Sequence, residues 1–181
     1  MAEDLRWDID TPRLRLRRLR PDDAAATAAM ITPEVSRWTG SWPDSIGVEE
    51  TAERIRGTLG VMDSGGGPIL AIDRKTDGAL LGWVGLVFDK SAPRKGVLGY
   101  WLGEAHHGQG YGGEAAAGMV DEGWRLLDID LIEAAANPDN AASIAVLRRL
   151  GMAYVGDVIT FAIARQREET CAAFELARPA A

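Results

Sequence analysis

Three short apolar runs follow one another through the middle of the chain with no helical segment between them. They read PILAID, ALLGWVGLVF and GVLGYWL, and the polar segments RKTDG and DKSAPRKG separate them. Apolar runs of this length, bounded by turn residues, are typical of β-strands. Such short connections join strands that run in opposite directions. The sequence therefore predicts an antiparallel meander at the centre of the fold.

Other periodic segments flank this meander on both sides. Before it lie the basic strand TPRLRLRRLR, a helix at PDDAAATAAMI, a loop over residues 32–47 and a helix from about Val48 to Met62. After it lie a helix at GGEAAAGMVDEGWRLL, the strand LIEAAA, a helix at DNAASIAVLRRLG and two closing strands. Asn140 is the expected N-cap of the last helix and Gly151 its expected C-cap. The predicted order is β-α-α-β-β-β-α-β-α-β-β.

Length and composition fit one globular domain over residues 1–181. Hydrophobic residues make up 46% of the chain and charged residues 26%, which is ordinary for a globular protein. Cys171 is the single cysteine, so an internal disulfide is excluded and a reducing compartment is favoured. The first residues are acidic, unlike a signal peptide, and no run of about 18 apolar residues occurs. We therefore expect a cytoplasmic protein without a membrane partner.

The formal net charge of −7 argues against a nucleic-acid partner, because binding phosphates requires a surplus of basic residues. The one basic run alternates with leucines, which predicts the solvated face of a strand; it comprises Arg13, Arg15, Arg17, Arg18 and Arg20. An acidic surface would favour a cationic acceptor, such as a protonated amine.

The segment HHGQGYGGEA fits two phosphate-binding patterns. In both, glycines allow the backbone to approach a pyrophosphate, and free N–H groups at a helix start bind its charge. Gly108, Gly110 and Gly113 spell the dinucleotide pattern, with Asp128 and Asp130 at the distance expected of a ribose ligand. However, that pattern should open a domain of parallel β-α-β units, and here it follows three strands without helices.

The alternative is an acyl-CoA site, which needs a strand beside the pantetheine, a loop of backbone donors and a second, splayed strand. GYWLGEAHHGQGYGGEAAAGMV followed by NPDNAASIAVLRRLGM resembles the core of the GNAT superfamily of N-acetyltransferases. TPRLRLRRLRPDDA and TCAAFELAR resemble its branch of ribosomal-protein N-terminal acetyltransferases. The resemblance covers nearly the whole chain. It implies an α/β fold of the α+β type, with a mixed, mostly antiparallel sheet of six or seven strands, flanked by helices and split in a V between the fourth and fifth strands.

The resemblance implies acetyl-CoA as cosubstrate and assigns residues to it. The family loop Q/R-x-x-G-x-G/A falls on His107, Gly110 and Gly112, where histidine replaces the usual first residue and can offer its side chain or its backbone N–H. Asn137 and Asn140 would hold the pantetheine arm. The full set of expected contacts is Trp101, Leu102, His107, Gly108, Gln109, Gly110, Tyr111, Gly112, Gly113, Asn137, Asn140 and Ser143.

Amide formation from a thioester requires a neutral amine, a donor for the oxyanion and a proton for the thiolate. By resemblance, the oxyanion donor is a backbone N–H near Trp101 or Leu102, where the fourth strand is expected to bulge. Many relatives protonate the thiolate with a tyrosine where this chain has Leu147, so we expect Ser143 to act instead. The other reading of Ser143 is a serine that satisfies helix N–H groups.

The general base is open among three carboxylates, namely Glu104 beside the loop, Asp157 on the sixth strand and Asp89 at the end of the third. Glu104 is the candidate that we carry forward, and a chain of water molecules could replace all three. No metal is expected, because His106 and His107 are adjacent and lack further ligands.

Trp38, Trp42 and Trp83 would either line the acceptor pocket or pack in the core. The expected activity is transfer of an acetyl group to a primary amine, on a protein N-terminus or a small molecule, by direct attack in a ternary complex. A homodimer is a further expectation left open. The rival hypotheses are a non-catalytic acyl-CoA sensor and a nicotinamide-dependent enzyme.

Overall fold

The computed structural model describes residues 7–88, 92 and 94–180. Its strands are β1 (Asp8–Asp10), β2 (Leu14–Arg18), β3 (Ile69–Arg74), β4 (Leu80–Phe88), β5 (Lys95–Leu102), β6 (Leu131–Ala136), β7 (Ala153–Ala162) and β8 (Arg167–Ala177). Its α-helices are α1 (Asp23–Met30), α2 (Pro33–Ser36), α3 (Val48–Asp63), α4 (Tyr111–Leu126) and α5 (Ala141–Arg149). Short 3₁₀ turns lie at Glu104–His106 and Ile163–Arg165. The predicted mixed α+β architecture is confirmed.

All strands join one sheet in the order β1-β2-β3-β4-β5-β6-β8-β7. Every pair is antiparallel except β5 and β6, which are parallel. β5 pairs with β6 only where Lys95–Val97 meets Leu131–Glu133, so the two strands separate beyond Val97. This is the predicted V-shaped split. The sheet has eight strands instead of six or seven, because the three-residue β1 adds to the edge of β2.

The helices cover both faces of the sheet, and each face has its own core. α4 lies against β4 and β5, and its buried stripe includes Ala116, Met119 and Val120. α1 and α3 cover the other face, where Trp42, Trp83 and Trp101 are buried together; the remaining buried members there are Leu19, Ala24, Ile31, Val35, Ile55 and Ala71. The split between β5 and β6 therefore connects two differently packed sides of the molecule.

The alternation with leucine predicted that Arg17 on β2 would lie on a solvated face, and this prediction is wrong. Its guanidinium donates to Asp23 at 2.8 Å and to Asp73 at 2.5 Å and 3.1 Å, and only 8% of the residue is exposed. These hydrogen bonds, first those to Asp23, raise the pKa of Arg17 despite the opposing effect of burial. A buried charge is tolerated when it is paired and hydrogen-bonded in this way.

Residues 32–47 are a loop as predicted, but it contains the one-turn helix α2. Thr32 caps this helix by accepting a hydrogen bond from Val35 N–H. Within the described part of the chain, no helix is long and apolar enough to cross a bilayer.

Candidate active site

The glycine loop lies between β5 and α4 and turns twice through the left-handed region of backbone space. Gly108 has φ of 71° and Gly110 has φ of 80°. Residues with a Cβ rarely adopt these angles, so both positions favour glycine for conformational reasons. The double turn directs the chain into the first turn of α4, which begins at Tyr111.

Backbone donors are concentrated at this loop. Among the described residues, the N–H groups of residues 108–113 meet no hydrogen-bond acceptor; the first bonded N–H of the helix is that of Glu114, which donates to Gly110 O at 3.1 Å. Gly112 and Gly113 are helical, and an added Cβ there would meet only ordinary contacts at 3.6 Å or more. The packing of the protein itself therefore does not require glycine at these two positions. A ligand that approaches the helix start would require it.

Glu114 fastens the loop to the N-terminal segment. Its carboxylate accepts from Thr11 Oγ1 at 2.6 Å, from the backbone N–H of Arg13 at 2.7 Å and from Arg13 Nε at 2.6 Å. Burial raises the pKa of Glu114, but these hydrogen bonds outweigh it, and the net pKa lies below its ordinary value. Arg13 also donates to Gln109 O at 3.0 Å and stacks over Tyr111. The loop is thus held in place without any ligand.

His107 and Gln109 use their side chains within the protein. His107 Nε2 lies 2.9 Å from Leu102 O, and the backbone N–H of His107 donates to Glu104 O. The 3₁₀ turn therefore already uses the N–H that the sequence analysis offered to a phosphate. Gln109 Nε2 donates to Ala105 O at 3.0 Å. Both side chains shape the loop, and the backbone donors after His107 stay available.

A cavity of about 1030 Å³ passes through the split in the sheet. One side of the cavity is lined by the glycine loop, with residues 106–113 except Gln109, and by the free edge of β5. The α5 region completes this side with Asn140, Ser143, Val146 and Arg149. On the other side the cavity is lined by the loop 38–42, by α3 and by the face of β4 and β5 that carries Trp83 and Trp101. Two ligands can therefore enter from opposite sides and meet between β5 and β6.

Leu102 presents its backbone N–H to this split. Gly103 N–H donates to Leu81 O on β4 at 2.9 Å, and successive residues of a strand direct their N–H groups to opposite sides. The N–H of Leu102 therefore points away from β4, while that of Trp101 points towards it. The expected bulge is not in this strand, because the β4–β5 register is unbroken. The irregularity lies one strand earlier, opposite Ile72 and Asp73.

The start of α5 carries the predicted serine. Asn140 caps the helix by accepting a hydrogen bond from Ser143 N–H at 3.0 Å, and its own amide group lines the cavity. Ser143 Oγ lies 3.0 Å from the hydroxyl of Tyr100 on β5, across the split. Leu147 is 1% exposed and closes the apolar wall. Asn137 instead accepts from Asp139 N–H at 2.9 Å and lies outside this cavity, so its observed role is in a turn.

Tyr100 was missed by the sequence analysis. It alternates with Leu98 and Leu102 on β5, which puts it on the face covered by α4, and a hydroxyl at such a position needs a polar partner. Burial raises the pKa of Tyr100, only partly offset by the hydrogen bond with Ser143. Its phenol is therefore protonated at neutral pH and can donate to Ser143.

The tryptophans form one aromatic cluster at the second side of the cavity. The ring centroids of Trp42 lie 5.2 Å from Trp83 and 5.4 Å from Trp101. Trp83 Nε1 donates to Thr27 Oγ1 at 3.2 Å. Trp38 also lines the cavity, beneath the guanidinium of Arg37. Trp42 and Trp83 are therefore buried core residues that also line the cavity, and a role in binding the acceptor stays a prediction.

None of the candidate bases reaches the cavity in the described structure. Glu104 is exposed, accepts a hydrogen bond from Thr32 and is not among the lining residues. Asp157 accepts from Tyr154 on the exposed face of β7. Asp89 lies outside the described residues. Asp128 and Asp130, which a dinucleotide site would need, are exposed and bound to Arg94.

No grouping of three His, Cys, Asp or Glu side chains suited to a metal occurs among the described residues. The cavity instead offers backbone N–H groups, the paired hydroxyls of Tyr100 and Ser143 and an aromatic cluster. Such a site can bind a diphosphate and hydrogen-bond a leaving group.

Known proteins show the same architecture. RimL, a ribosomal L7/L12 alpha-N-protein acetyltransferase solved in complex with coenzyme A, superposes with a TM-score of 0.79 at 19% identity over 94% of this chain and 97% of that one. The microcin C7 self-immunity acetyltransferase MccE, in complex with acetyl-CoA and AMP, gives a TM-score of 0.81 at 18% identity over 92% and 93%. These likenesses show the fold.

Sequence comparisons identify the family. The uncharacterised N-acetyltransferase p20 of Bacillus licheniformis is 28% identical over 141 residues, which cover 77% of this chain and 79% of that protein. The acetyltransferase (GNAT) domain family matches residues 13–153. The dinucleotide hypothesis is thereby excluded, and the chain belongs to the GNAT acetyltransferase family.

Proposed function

We propose that this protein transfers an acetyl group from acetyl-CoA to a primary amine by direct attack in a ternary complex. The observation that carries the proposal is the row of N–H groups at residues 108–113, which meet no acceptor among the described residues and border a cavity that passes through the sheet. A diphosphate at these donors lies at the positive end of the α4 dipole. The thioester can then extend along β5 towards the side lined by tryptophan.

Most of the cosubstrate contacts expected from the sequence are proposed to be backbone contacts of the loop. The glycines of the loop supply the conformation, the space or the N–H groups, and they are Gly108, Gly110, Gly112 and Gly113. The backbone N–H groups of Gln109 and Tyr111 complete the row. Asn140 lines the cavity and has its amide N–H groups available. His107 acts indirectly, because it connects the loop to Leu102 O.

Leu102 N–H is the proposed donor to the oxyanion that forms when the amine attacks the thioester. Its direction towards the split supports this role, whereas Trp101 N–H is directed to β4. An oriented backbone donor needs no reorganisation during the reaction, which is why such donors accelerate acyl transfer.

Ser143 is the proposed hydrogen-bond donor to the departing thiolate, with Tyr100 positioned behind it. As the C–S bond breaks, Ser143 Oγ–H donates to sulfur while the Tyr100 hydroxyl donates to Ser143 Oγ, at the observed 3.0 Å. The amine nitrogen forms the new C–N bond and releases one proton. We propose that water in the cavity accepts that proton, because no described carboxylate lines the reacting part of the cavity.

Release of free thiol from acetyl-CoA, measured across a panel of amines and N-terminal peptides, tests the activity. Acceptor-dependent release supports the proposal. Tight binding of CoA with no release for any acceptor would favour the sensor hypothesis instead. A cytoplasmic location, a single domain over the whole chain and a homodimer stay predictions.

A further inference from the structure

Arginines line the side of the cavity that carries the tryptophans, called the acceptor side below, although the chain has a net charge of −7. A second cavity of about 330 Å³ adjoins the main one and shares the wall formed by Trp38, Gly40 and Ser41. Within the described residues, the walls of the two cavities on this side carry three arginines and one carboxylate: Arg37, Arg54, Arg165 and Glu169. Arg37 is paired with Glu34 at 3.1 Å and Arg165 with Glu169, so Arg54 is the lining arginine of this side without a carboxylate at hydrogen-bond distance in the described structure.

Glu169 leaves no negative charge for a cationic ligand. Arg165 donates to both of its carboxylate oxygens at 2.7 Å and 2.8 Å, and Arg167 donates at 2.7 Å. These hydrogen bonds lower the pKa of Glu169 to about 2. Arg165 also donates to Ser36 O and Thr39 O, so this ion pair serves to hold the loop.

Arg54 on α3 is fixed in place, yet most of its guanidinium N–H groups have no hydrogen-bond acceptor among the described residues. Its Nη1 donates to Ser41 O at 2.8 Å, and the guanidinium lies 4.9 Å from the centre of a Trp42 ring. Arg54 forms a long ion pair with Glu50, whose carboxylate lies 4.0 Å from Arg54 Nε and so beyond hydrogen-bond distance. A guanidinium has five N–H groups, so most of them remain available to an anion.

The floor next to Arg54 is apolar and unfilled. Val61 and Val97 line the cavity there, and a Cβ added at Gly57 or Gly99 would meet no atom within 4 Å. The space beside the guanidinium therefore suits an apolar or aromatic group rather than a second charge.

From this arrangement we propose that the acceptor is an amine that also carries an anionic group, which Arg54 binds, and an apolar portion, which lies between α3 and β5. The inference rests on the proposed acetyl transfer and names its substrate class. It replaces the cationic acceptor expected from net charge, because a polycation would meet the Arg54 guanidinium, and Glu169, the one lining carboxylate among the described residues, is already paired with Arg165. Carboxylate and phosphate share the required chemistry, since both accept the forked hydrogen bonds of arginine.

Matched acceptors test the proposal through turnover. L-phenylalanine is compared with its amide, and phosphoethanolamine with ethanolamine, with spermidine as the polycation. We expect the anionic member of at least one pair to have a kcat/KM about tenfold or more above its neutral partner. Which pair shows the larger ratio identifies carboxylate or phosphate. Arg54→Gln should abolish the ratio mainly through KM, whereas Arg56→Gln, an exposed arginine of the same helix outside the cavity, should preserve it.

Binding without turnover separates this proposal from the proposed function. Quenching of tryptophan fluorescence is titrated with 3-phenylpropionate and with 3-phenylpropanamide, which have no amine to acetylate. Preferential binding of the carboxylate, lost in Arg54→Gln, supports the anion site even if no amine is acetylated. Equal binding of the two probes together with equal or better turnover of amide and spermidine would overturn it, while acceptor-dependent thiol release would still uphold acetyl transfer.

Discussion

The hydroxyl oxygens of Tyr100 and Ser143 lie 3.0 Å apart and connect β5 to the start of α5 across the split. The phenol has one proton, which can be donated either to Ser143 Oγ or to Ser143 O, at 3.3 Å. Leu147, one helical turn after Ser143, lines the same cavity and has no hydroxyl. In this chain, two hydroxyls from different elements can supply one hydrogen bond to sulfur.

Replacing either hydroxyl should slow the chemical step. We expect Ser143→Ala to lower kcat about 100-fold and Tyr100→Phe about tenfold, because the first loses the donor and the second only its orientation. The double variant should be no slower than Ser143→Ala, since residues that act as a unit are not additive. Steady-state kinetics at saturating acetyl-CoA measures these effects.

Tyr154→Phe is the matched control, because that hydroxyl binds Asp157 on the exposed face of β7. It should leave kcat unchanged. Unaltered turnover in Ser143→Ala, or independent, multiplicative losses in the double variant, would rule out the paired role.

Alanine at Gly113 should change stability and binding in opposite directions. An added Cβ meets only Val146, at 3.7 Å, and alanine is favoured over glycine in a helix by up to about 1 kcal/mol. The folded state should therefore gain stability in urea, while the affinity for CoA falls about tenfold or more because the Cβ occupies the approach to the N–H groups.

Gly60→Ala provides the comparison, since this helical glycine of α3 faces open space and lies outside both cavities. It should gain similar stability with unchanged CoA affinity. If Gly113→Ala binds CoA as tightly as the parent does, the diphosphate does not lie at this helix start.

Arg17 should be essential for stability, in contrast to its neighbour on the same strand. Arg17→Met leaves the buried carboxylate of Asp23 and the partly buried one of Asp73 unpaired, which should cost about 3–5 kcal/mol of unfolding free energy in urea. Arg15→Met removes only an exposed pair with Asp8 and should leave the urea midpoint nearly unchanged. Similar midpoints for the two variants would contradict the buried network.

Glu169 should contribute stability that depends on pH. Hydrogen bonds from Arg165 and Arg167 lower its folded-state pKa to about 2 from an ordinary 4.5. A lowered carboxyl pKa stabilises the fold above the unfolded value and loses that effect as pH falls towards the folded value. The difference in unfolding free energy between the parent and Glu169→Gln should thus be constant near neutral pH and shrink below about pH 5.

Glu168→Gln, at the exposed neighbouring position on β8, is the appropriate reference. The difference in unfolding free energy between the parent and Glu168→Gln should stay nearly constant over the same pH range. A Glu169→Gln difference that stays constant down to about pH 3 would disprove the assigned ion pair.

Local patterns in the sequence predict the elements of this fold well, and long-range partners explain the exceptions. Asn140 and Gly151 were identified as caps because their chemistry acts within one turn; Asn140 accepts from Ser143 N–H, and Gly151 has φ of 84°. Arg17 was misread because its burial depends on Asp73, which is distant in sequence. The strand β1 was missed for a different reason: three residues carry almost no periodic signal.

The parts of the candidate site that lie close together in sequence were also predictable, and the contacts between distant elements were not. The loop and Ser143 follow from contiguous motifs, whereas the partnership with Tyr100 spans 43 positions and appears only when β5 and α5 are brought together. The base stays open: Glu104 lies beside the loop in sequence, but in the structure it accepts a hydrogen bond from Thr32 and does not line the cavity.

The central claim is that backbone N–H groups of residues 108–113 bind the diphosphate of coenzyme A. Isothermal titration calorimetry of the folded protein with CoA and with pantetheine, which lacks the diphosphate, tests it most directly. We predict single-site binding of CoA at least about tenfold tighter than that of pantetheine, since charge-assisted hydrogen bonds are among the strongest. Equal affinities, or no heat of binding with CoA, would contradict the account.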